Sequence, residues 1–89
     1  MLKISLQLQN KLGLHARASA KFVATASRFL RRVDVCKGNQ TINGKSIMGV
    51  MMLGAKFGTI IDCVIEGPDE SDLCQALETL IDNKFDEEE

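Results

Sequence analysis

The chain has 89 residues and a mass of 9.8 kDa, which is enough for one folded domain with one hydrophobic core. With 45% hydrophobic and 26% charged residues, the composition excludes a disordered chain, a collagen-like chain and a disulfide-dense scaffold. The net charge of −1 conceals an asymmetry, because residues 1–45 carry a charge of +8 and residues 46–89 a charge of −9. Such an asymmetry is typical of a basic face or an acidic tail.

The first half of the chain predicts a strand, a helix and a short hairpin. Apolar and polar residues alternate over residues 1–8, which is the pattern of a half-buried strand. A loop containing Gly13 then leads into a helix over residues 16–32, where apolar residues recur every three to four positions. A Gly-Asn turn at residues 38–39 predicts the hairpin that follows. The end of the helix is predicted to hold cations that complement the helix dipole, namely Arg28, Arg31 and Arg32.

The second half predicts a helix, a strand and a last helix. After an Asn-Gly break, Ser46 is expected to cap a very apolar helix that ends near Gly54. Residues 59–66 are rich in β-branched side chains and predict a strand. Asp69 is expected to cap the last helix, whose apolar stripe consists of Leu73, Leu77, Leu80 and Ile81. The acidic residues 86–89 have nothing to bury and are expected to fray.

The predicted order of elements is therefore βαββαβα, in a single domain over residues 1–89. Hairpin-connected strands with a few amphipathic helices form an antiparallel sheet with the helices packed on one face. The predicted fold class is α+β, an open-faced sandwich of four antiparallel strands and three helices.

The distribution of apolar residues and the spacing of the cysteines predict a cytosolic protein without a cofactor. No apolar run reaches the roughly 18–20 residues of a membrane-spanning helix, and polar residues interrupt the region where a signal peptide would be apolar. We therefore expect no membrane insertion. Three cysteines without C-x-x-C spacing indicate neither a disulfide framework nor a zinc site, so Cys36, Cys63 and Cys74 are interpreted as reduced packing residues. No metal and no other cofactor is expected.

The one histidine, His15, lies between the Gly13 loop and the first predicted helix. Imidazole titrates in the physiological range and offers a neutral nitrogen nucleophile. If it attacked a phosphoryl group, the added negative charge would lie beside backbone N–H groups at a helix N-terminus, where anions are stabilised. The Arg17 guanidinium would then bind the phosphate oxygens. The alternative at this point is a surface histidine that only caps the helix.

Two segments resemble a known family. KLGLHARASAKF, residues 11–22, resembles the active-site region of the HPr family, the histidine-containing phosphocarriers of bacterial phosphotransferase systems. NGKSIMGVMMLGA, residues 43–55, resembles the second signature of that family, and the resemblance covers essentially the whole chain. It implies that a first enzyme, itself phosphorylated by phosphoenolpyruvate, phosphorylates His15 at Nδ1 with the help of Arg17. It also implies that His15 passes the phosphoryl group to downstream acceptor proteins.

The sequence departs from the family pattern at one point, because Ala18 and Ser19 stand where the family usually has Pro-Ala. Proline in the first turn of a helix presets φ and gives up no donor that the helix needs. We therefore expect a slightly looser start of the first helix, with unchanged chemistry.

The second signature carries the predicted regulation and docking. Ser46 is either a plain N-cap or, as the resemblance implies, also a regulatory phosphorylation site for a serine kinase/phosphorylase. A phosphate there would repel an acidic partner, because the helix N-terminus itself tolerates negative charge. Lys21 is interpreted as a residue that steers acidic partners. The resemblance further implies docking through a small exposed apolar patch beside the histidine, made by Ile47, Met48 and Met51.

Other classes of function fit the sequence less well. GNQTINGKS resembles a P-loop, but its glycines enclose five residues where that motif needs four. An RNA-binding domain needs aromatic stacking platforms, and the chain has four phenylalanines but no tyrosine or tryptophan, so no nucleic acid partner is expected. The main alternative is a regulatory interaction module of the same fold that acts through Ser46, although relatives of that kind lack the histidine. The sequence leaves open whether a monomeric carrier would serve sugar permease complexes or a nitrogen-related branch.

Overall fold

The computed structural model describes residues 2–29, 32–67 and 70–86. The elements in chain order are β1 (Leu2–Gln7), α1 (Ala16–Ser27), β2 (Arg32–Lys37), β3 (Gln40–Asn43), α2 (Ile47–Met52), β4 (Ile60–Glu66), α3 (Glu70–Asp82) and a 3₁₀ turn (Lys84–Asp86). The predicted order of strands and helices is confirmed.

The four strands form one antiparallel sheet in the order β1-β4-β2-β3. The alternation predicted for β4 buries Cys63, which is paired with Ile4 of β1 on one side and with Val35 of β2 on the other. The helix residues in the same core cluster are Ala18, Phe22, Val23 and Ala26 of α1, Val50 of α2, and Leu73, Leu77 and Ile81 of α3. All three helices therefore contribute to the core on this face of the sheet, as the α+β prediction requires.

Helix α1 is shorter than predicted. It ends at Ser27 because the N–H groups of Arg28 and Phe29 turn back to the carbonyls three residues earlier, in a tightened last turn. The prediction that Arg32 complements the helix dipole is wrong, since Arg32 begins β2 and pairs with Glu66 of β4. Arg31, like the predicted cap Asp69, lies outside the described residues.

Three lysines donate hydrogen bonds to carbonyl groups at the ends of helical segments. The bonds run from Lys45 to Phe29 (2.7 Å), from Lys37 to Leu53 (2.9 Å) and from Lys21 to Phe85 (2.6 Å). At the ends of α1 and α2 cations are favoured because the last carbonyls of a helix carry partial negative charge and lack partners within the helix. Phe85 instead lies in a three-residue turn and has a φ of 55°. Part of the positive charge of the first half of the chain is therefore used inside the fold.

The C-terminal segment is anchored by Phe85, which is fully buried although its backbone has a φ of 55°. Lys21 of α1 binds its carbonyl oxygen. Asp86, the first residue of the tail predicted to fray, belongs to the 3₁₀ turn. The other residues of that tail, 87–89, lie outside the described residues.

The three cysteines are free thiols. Burial, with smaller contributions from Asp62 and the other two cysteines, raises the pKa of Cys63 to about 12. Burial, and then a hydrogen bond to Glu78 at 3.3 Å, raises the pKa of Cys74 to about 11. Both thiols are therefore protonated and weakly nucleophilic at neutral pH, which fits the packing interpretation for the buried Cys63.

Candidate functional site

The loop before α1 is fixed by its own hydrogen bonds and by the segment after α2. The Asn10 side chain is fully buried, and its Nδ2 donates to the Gly13 carbonyl at 2.7 Å. The Gly13 N–H donates back to the Asn10 carbonyl at 3.2 Å. The Leu14 N–H donates to the Ala55 carbonyl at 2.9 Å. His15 therefore follows a loop whose backbone is held in place on two sides.

Gly13 is required where this loop meets the segment after α2. Its φ of +64° lies in the left-handed region, which glycine adopts without strain. A Cβ at this position would lie 2.4 Å from the Ala55 carbonyl oxygen and 2.7 Å from the Lys56 Cα. Gly13, which directly precedes Leu14 and His15, therefore packs against the segment that follows α2.

His15 occupies the N-cap position of α1, with φ −79° and ψ −178°. Its carbonyl accepts the first helical hydrogen bond, from the Ser19 N–H at 2.8 Å. Within the described residues its side chain accepts no capping bond from the helix, so the imidazole leaves the N–H groups of the first turn to other acceptors. His15 is half-buried and Arg17, two residues later, is exposed. A nitrogen nucleophile, a helix N-terminus and a guanidinium thus lie within one turn.

Ser46 occupies the N-cap position of α2, as predicted. Its Oγ accepts a hydrogen bond from the Gly49 N–H at 3.1 Å, and its carbonyl accepts one from the Val50 N–H at 2.9 Å. The backbone of Ser46 is extended, with φ −112° and ψ 115°, which is the geometry that an N-cap residue adopts.

Helix α2 exposes most of its large apolar side chains. Met48 and Met52 are 70% and 74% exposed, Ile47 and Met51 are also exposed, and Val50 is the residue of the helix that is buried. We name Ile47, Met48, Met51 and Met52 the α2 patch. The predicted exposure is confirmed, and the bond between Leu14 and Ala55 places the chain leaving this helix beside the His15 loop.

Two further exposed apolar residues, Leu12 and Phe57, lie in the segments that meet at Gly13 and have exposures of 66% and 63%. Sequence reasoning did not single them out, because both lie in loops, where periodicity gives no signal.

Lys21, the predicted steering residue, is half-buried on α1. Its ammonium group donates to the Phe85 carbonyl at 2.6 Å and thereby ties α1 to the 3₁₀ turn. A role in steering partners stays a prediction for this residue.

Among residues 2–29, 32–67 and 70–86, none of the helices combines the length and the hydropathy of a membrane-spanning segment. The same residues contain no group of three or more His, Cys, Asp or Glu side chains that could hold a metal ion.

Comparison with known proteins identifies the family. Residues 2–83 match the family model described as the PTS HPr component phosphorylation site. The chain belongs to the HPr family. HPr proteins are phosphocarriers of the phosphotransferase system rather than catalysts, and membership implies interaction with the enzymes of that system.

Relatives and solved structures agree with this assignment over the whole chain. The phosphocarrier protein HPr of Neisseria meningitidis serogroup A is 53% identical over 89 residues, which is 100% of both chains. The HPr of Xylella fastidiosa strain Temecula1 is 48% identical over 88 residues, or 99% of both. A crystal structure of HPr-C-His from Thermoanaerobacter tengcongensis superimposes with a TM-score of 0.94 at 45% identity, and each chain is covered completely. The HPr fold predicted from the sequence is thereby confirmed.

Proposed function

We propose that this protein is a cytoplasmic phosphocarrier that accepts a phosphoryl group on His15 from the phosphoenolpyruvate-dependent first enzyme of a phosphotransferase system. It then passes the group to downstream acceptor proteins, which are sugar permease complexes or acceptors of a nitrogen-related branch. The observation that carries the proposal is the position of His15: the one histidine of an HPr-family chain, half-buried at the N-cap of α1.

In the proposed transfer, the lone pair on Nδ1 of His15 attacks the phosphorus of the donor phosphohistidine. A new N–P bond forms while the N–P bond of the donor breaks, and the donor imidazole leaves with the bonding electron pair. Phosphoryl transfer depends mainly on positioning and on electrostatic stabilisation of the transferring oxygens. The first-turn N–H groups of α1 and the exposed Arg17 guanidinium supply that stabilisation.

Partner docking is assigned to the α2 patch. Flexible methionine side chains adapt to several partner surfaces, and Met48 and Met52 are the most exposed members of the patch. The carrier itself needs no substrate pocket, because the reacting groups belong to the partner proteins.

The direct test is to incubate the protein with phosphoenolpyruvate and the first enzyme and to follow the bound phosphate. We expect one acid-labile phosphate per chain, localised on His15 by mass spectrometry of an alkaline digest. The absence of phosphoryl transfer to the wild-type protein would contradict the proposal. That outcome would favour the alternative, a regulatory interaction module of the same fold that acts through the exposed surface around Ser46.

We further propose that phosphorylation of Ser46 by a serine kinase/phosphorylase regulates docking. Ser46→Asp should slow phosphoryl acceptance from the first enzyme roughly fivefold or more, because a negative charge beside the α2 patch repels an acidic partner. Aspartate is also a good N-cap residue, so helix α2 should stay intact.

The matched control for this charge is Ser46→Asn, since asparagine caps a helix equally well and is neutral. Initial rates should be measured for both variants over a range of first-enzyme concentrations. Equal rates for Ser46→Asp and Ser46→Asn would exclude the electrostatic mechanism.

A further inference from the structure

Two polar residues are fully buried among the described part of the chain, and both hold the loop that presents His15. One is Asn10, which closes the turn at Gly13. The other is Ser19 of α1, whose Oγ donates to the Leu14 carbonyl at 3.2 Å. The Ser19 N–H also donates to the His15 carbonyl at 2.8 Å. Ser19 therefore binds two consecutive carbonyls, those of Leu14 and of His15.

The direction of the Ser19 hydroxyl bond is unusual for a serine inside a helix. Such a serine commonly bonds the carbonyl four residues earlier, within its own helix. In this chain that carbonyl belongs to His15 and accepts the Ser19 backbone N–H, while the hydroxyl reaches one residue further to Leu14, outside the helix. The bond therefore ties the loop to the helix.

We propose that Ser19 is a positioning residue for phosphoryl transfer at His15, an inference that rests on the proposed function. Its hydroxyl fixes the plane of the peptide group between Leu14 and His15. The opposite side of Leu14 is held by the bond from its N–H to Ala55. With both ends of this segment fixed, the φ of His15 is set, and with it the direction of the Cα–Cβ bond from which the imidazole extends beside the first turn of α1.

The Ser19 hydrogen bond also compensates for the proline that this chain lacks relative to the family pattern. Ala18 stands where the family usually has proline, so the first turn of α1 lacks the preset φ that a proline ring supplies. A buried hydrogen bond from the next residue restrains the same turn by another route. The looser helix start expected from the loss of proline is, on this account, offset by Ser19.

The test is the Ser19→Ala variant in single-turnover phosphorylation by phosphoenolpyruvate and the first enzyme. We expect the maximal rate to fall roughly three- to tenfold, as for the loss of one buried hydrogen bond, with an unchanged half-saturating concentration of first enzyme. Docking is unchanged because the α2 patch is untouched. Ser27→Ala, the same substitution at the exposed last residue of α1, is the matched control and should retain the wild-type rate.

A second measurement separates positioning from a general loss of stability. The chain has one histidine, so its imidazole signals in a proton–carbon NMR spectrum are assigned without ambiguity. They should shift or broaden in Ser19→Ala and stay unchanged in Ser27→Ala. Unchanged imidazole signals and a wild-type maximal rate in Ser19→Ala would overturn the inference, as would a lower rate that comes entirely from weaker docking.

The two proposals fail in different ways. If the wild-type protein accepts no phosphoryl group, the phosphocarrier function is contradicted, and the imidazole signals still report whether Ser19 orients His15. If the wild type accepts the group and Ser19→Ala accepts it equally fast, only the role of Ser19 is contradicted.

Discussion

Replacement of His15 by alanine is expected to abolish phosphoryl acceptance from phosphoenolpyruvate and the first enzyme. The variant lacks the nitrogen that forms the N–P bond, and a covalent intermediate cannot form without its nucleophile. The signal should fall at least about a hundredfold, to the background of the assay. Acid-labile phosphate measured on the purified variant is the readout.

The fold should survive this substitution, since the His15 side chain is half-buried and lies outside the hydrophobic core cluster. The free energy of unfolding in urea should change by less than about 1 kcal/mol. His15→Asn is a useful companion, because asparagine is a better N-cap residue and carries no nucleophilic imidazole. Acid-labile phosphate on either variant would show that a residue other than His15 is phosphorylated.

Gly13→Ala is expected to be the most destabilising single methyl addition in the loop that presents His15. A non-glycine residue at a φ of +64° is strained, and the new Cβ would lie 2.4 Å from the Ala55 carbonyl oxygen, which is a backbone atom that cannot rotate away. Strain and overpacking together should lower the free energy of unfolding by about 2–4 kcal/mol. The bond between Leu14 and Ala55 should weaken, so phosphoryl acceptance should slow as well.

The matched control for Gly13 is Gly54→Ala. Gly54 has a similar φ of +62°, and a Cβ there would have no neighbour within 4 Å. This variant has the same unfavourable backbone conformation but no close contact, so its free energy of unfolding should fall by only about 1 kcal/mol. If the free energy of unfolding, measured in urea, fell equally in the two variants, the contact with Ala55 would be unimportant.

Most of the fold could be predicted because its elements follow simple periods. The alternation in β1 and β4 and the three-to-four-residue spacing in α1 depend on burial alone, and burial decides which face of a strand or helix is apolar. The predicted α1 extends too far because Phe29 and Leu30 continue the apolar spacing of the helix, and Arg28, Arg31 and Arg32 are compatible with a helix C-terminus. Only the pairing of Arg32 with Glu66 shows that the chain is already extended there.

The site could be predicted only in part. His15 is a candidate because it is the one histidine of the chain and precedes a helix N-terminus, and the resemblance to the HPr family adds the roles predicted for Arg17 and Ser46. The support around them depends on contacts between segments far apart in the sequence, such as Gly13 against Ala55, which no local pattern reveals. Ser19 was noticed only as a departure from the family, since the partner of its hydroxyl becomes known only when the loop is placed.

The lysine bonds to the ends of the helical segments change how the basic half of the chain meets a partner. Lys21, Lys37 and Lys45 each hold a carbonyl oxygen of the fold at 2.6–2.9 Å. An acidic partner of the kind proposed would be attracted by these ammonium groups over a distance, yet a direct contact with that partner would compete with an existing bond. The attraction is therefore long-ranged and declines as salt shortens the Debye length to about 8 Å at physiological ionic strength. Association should thus slow with added salt, while the apolar contacts of the α2 patch should keep the complex together once it has formed.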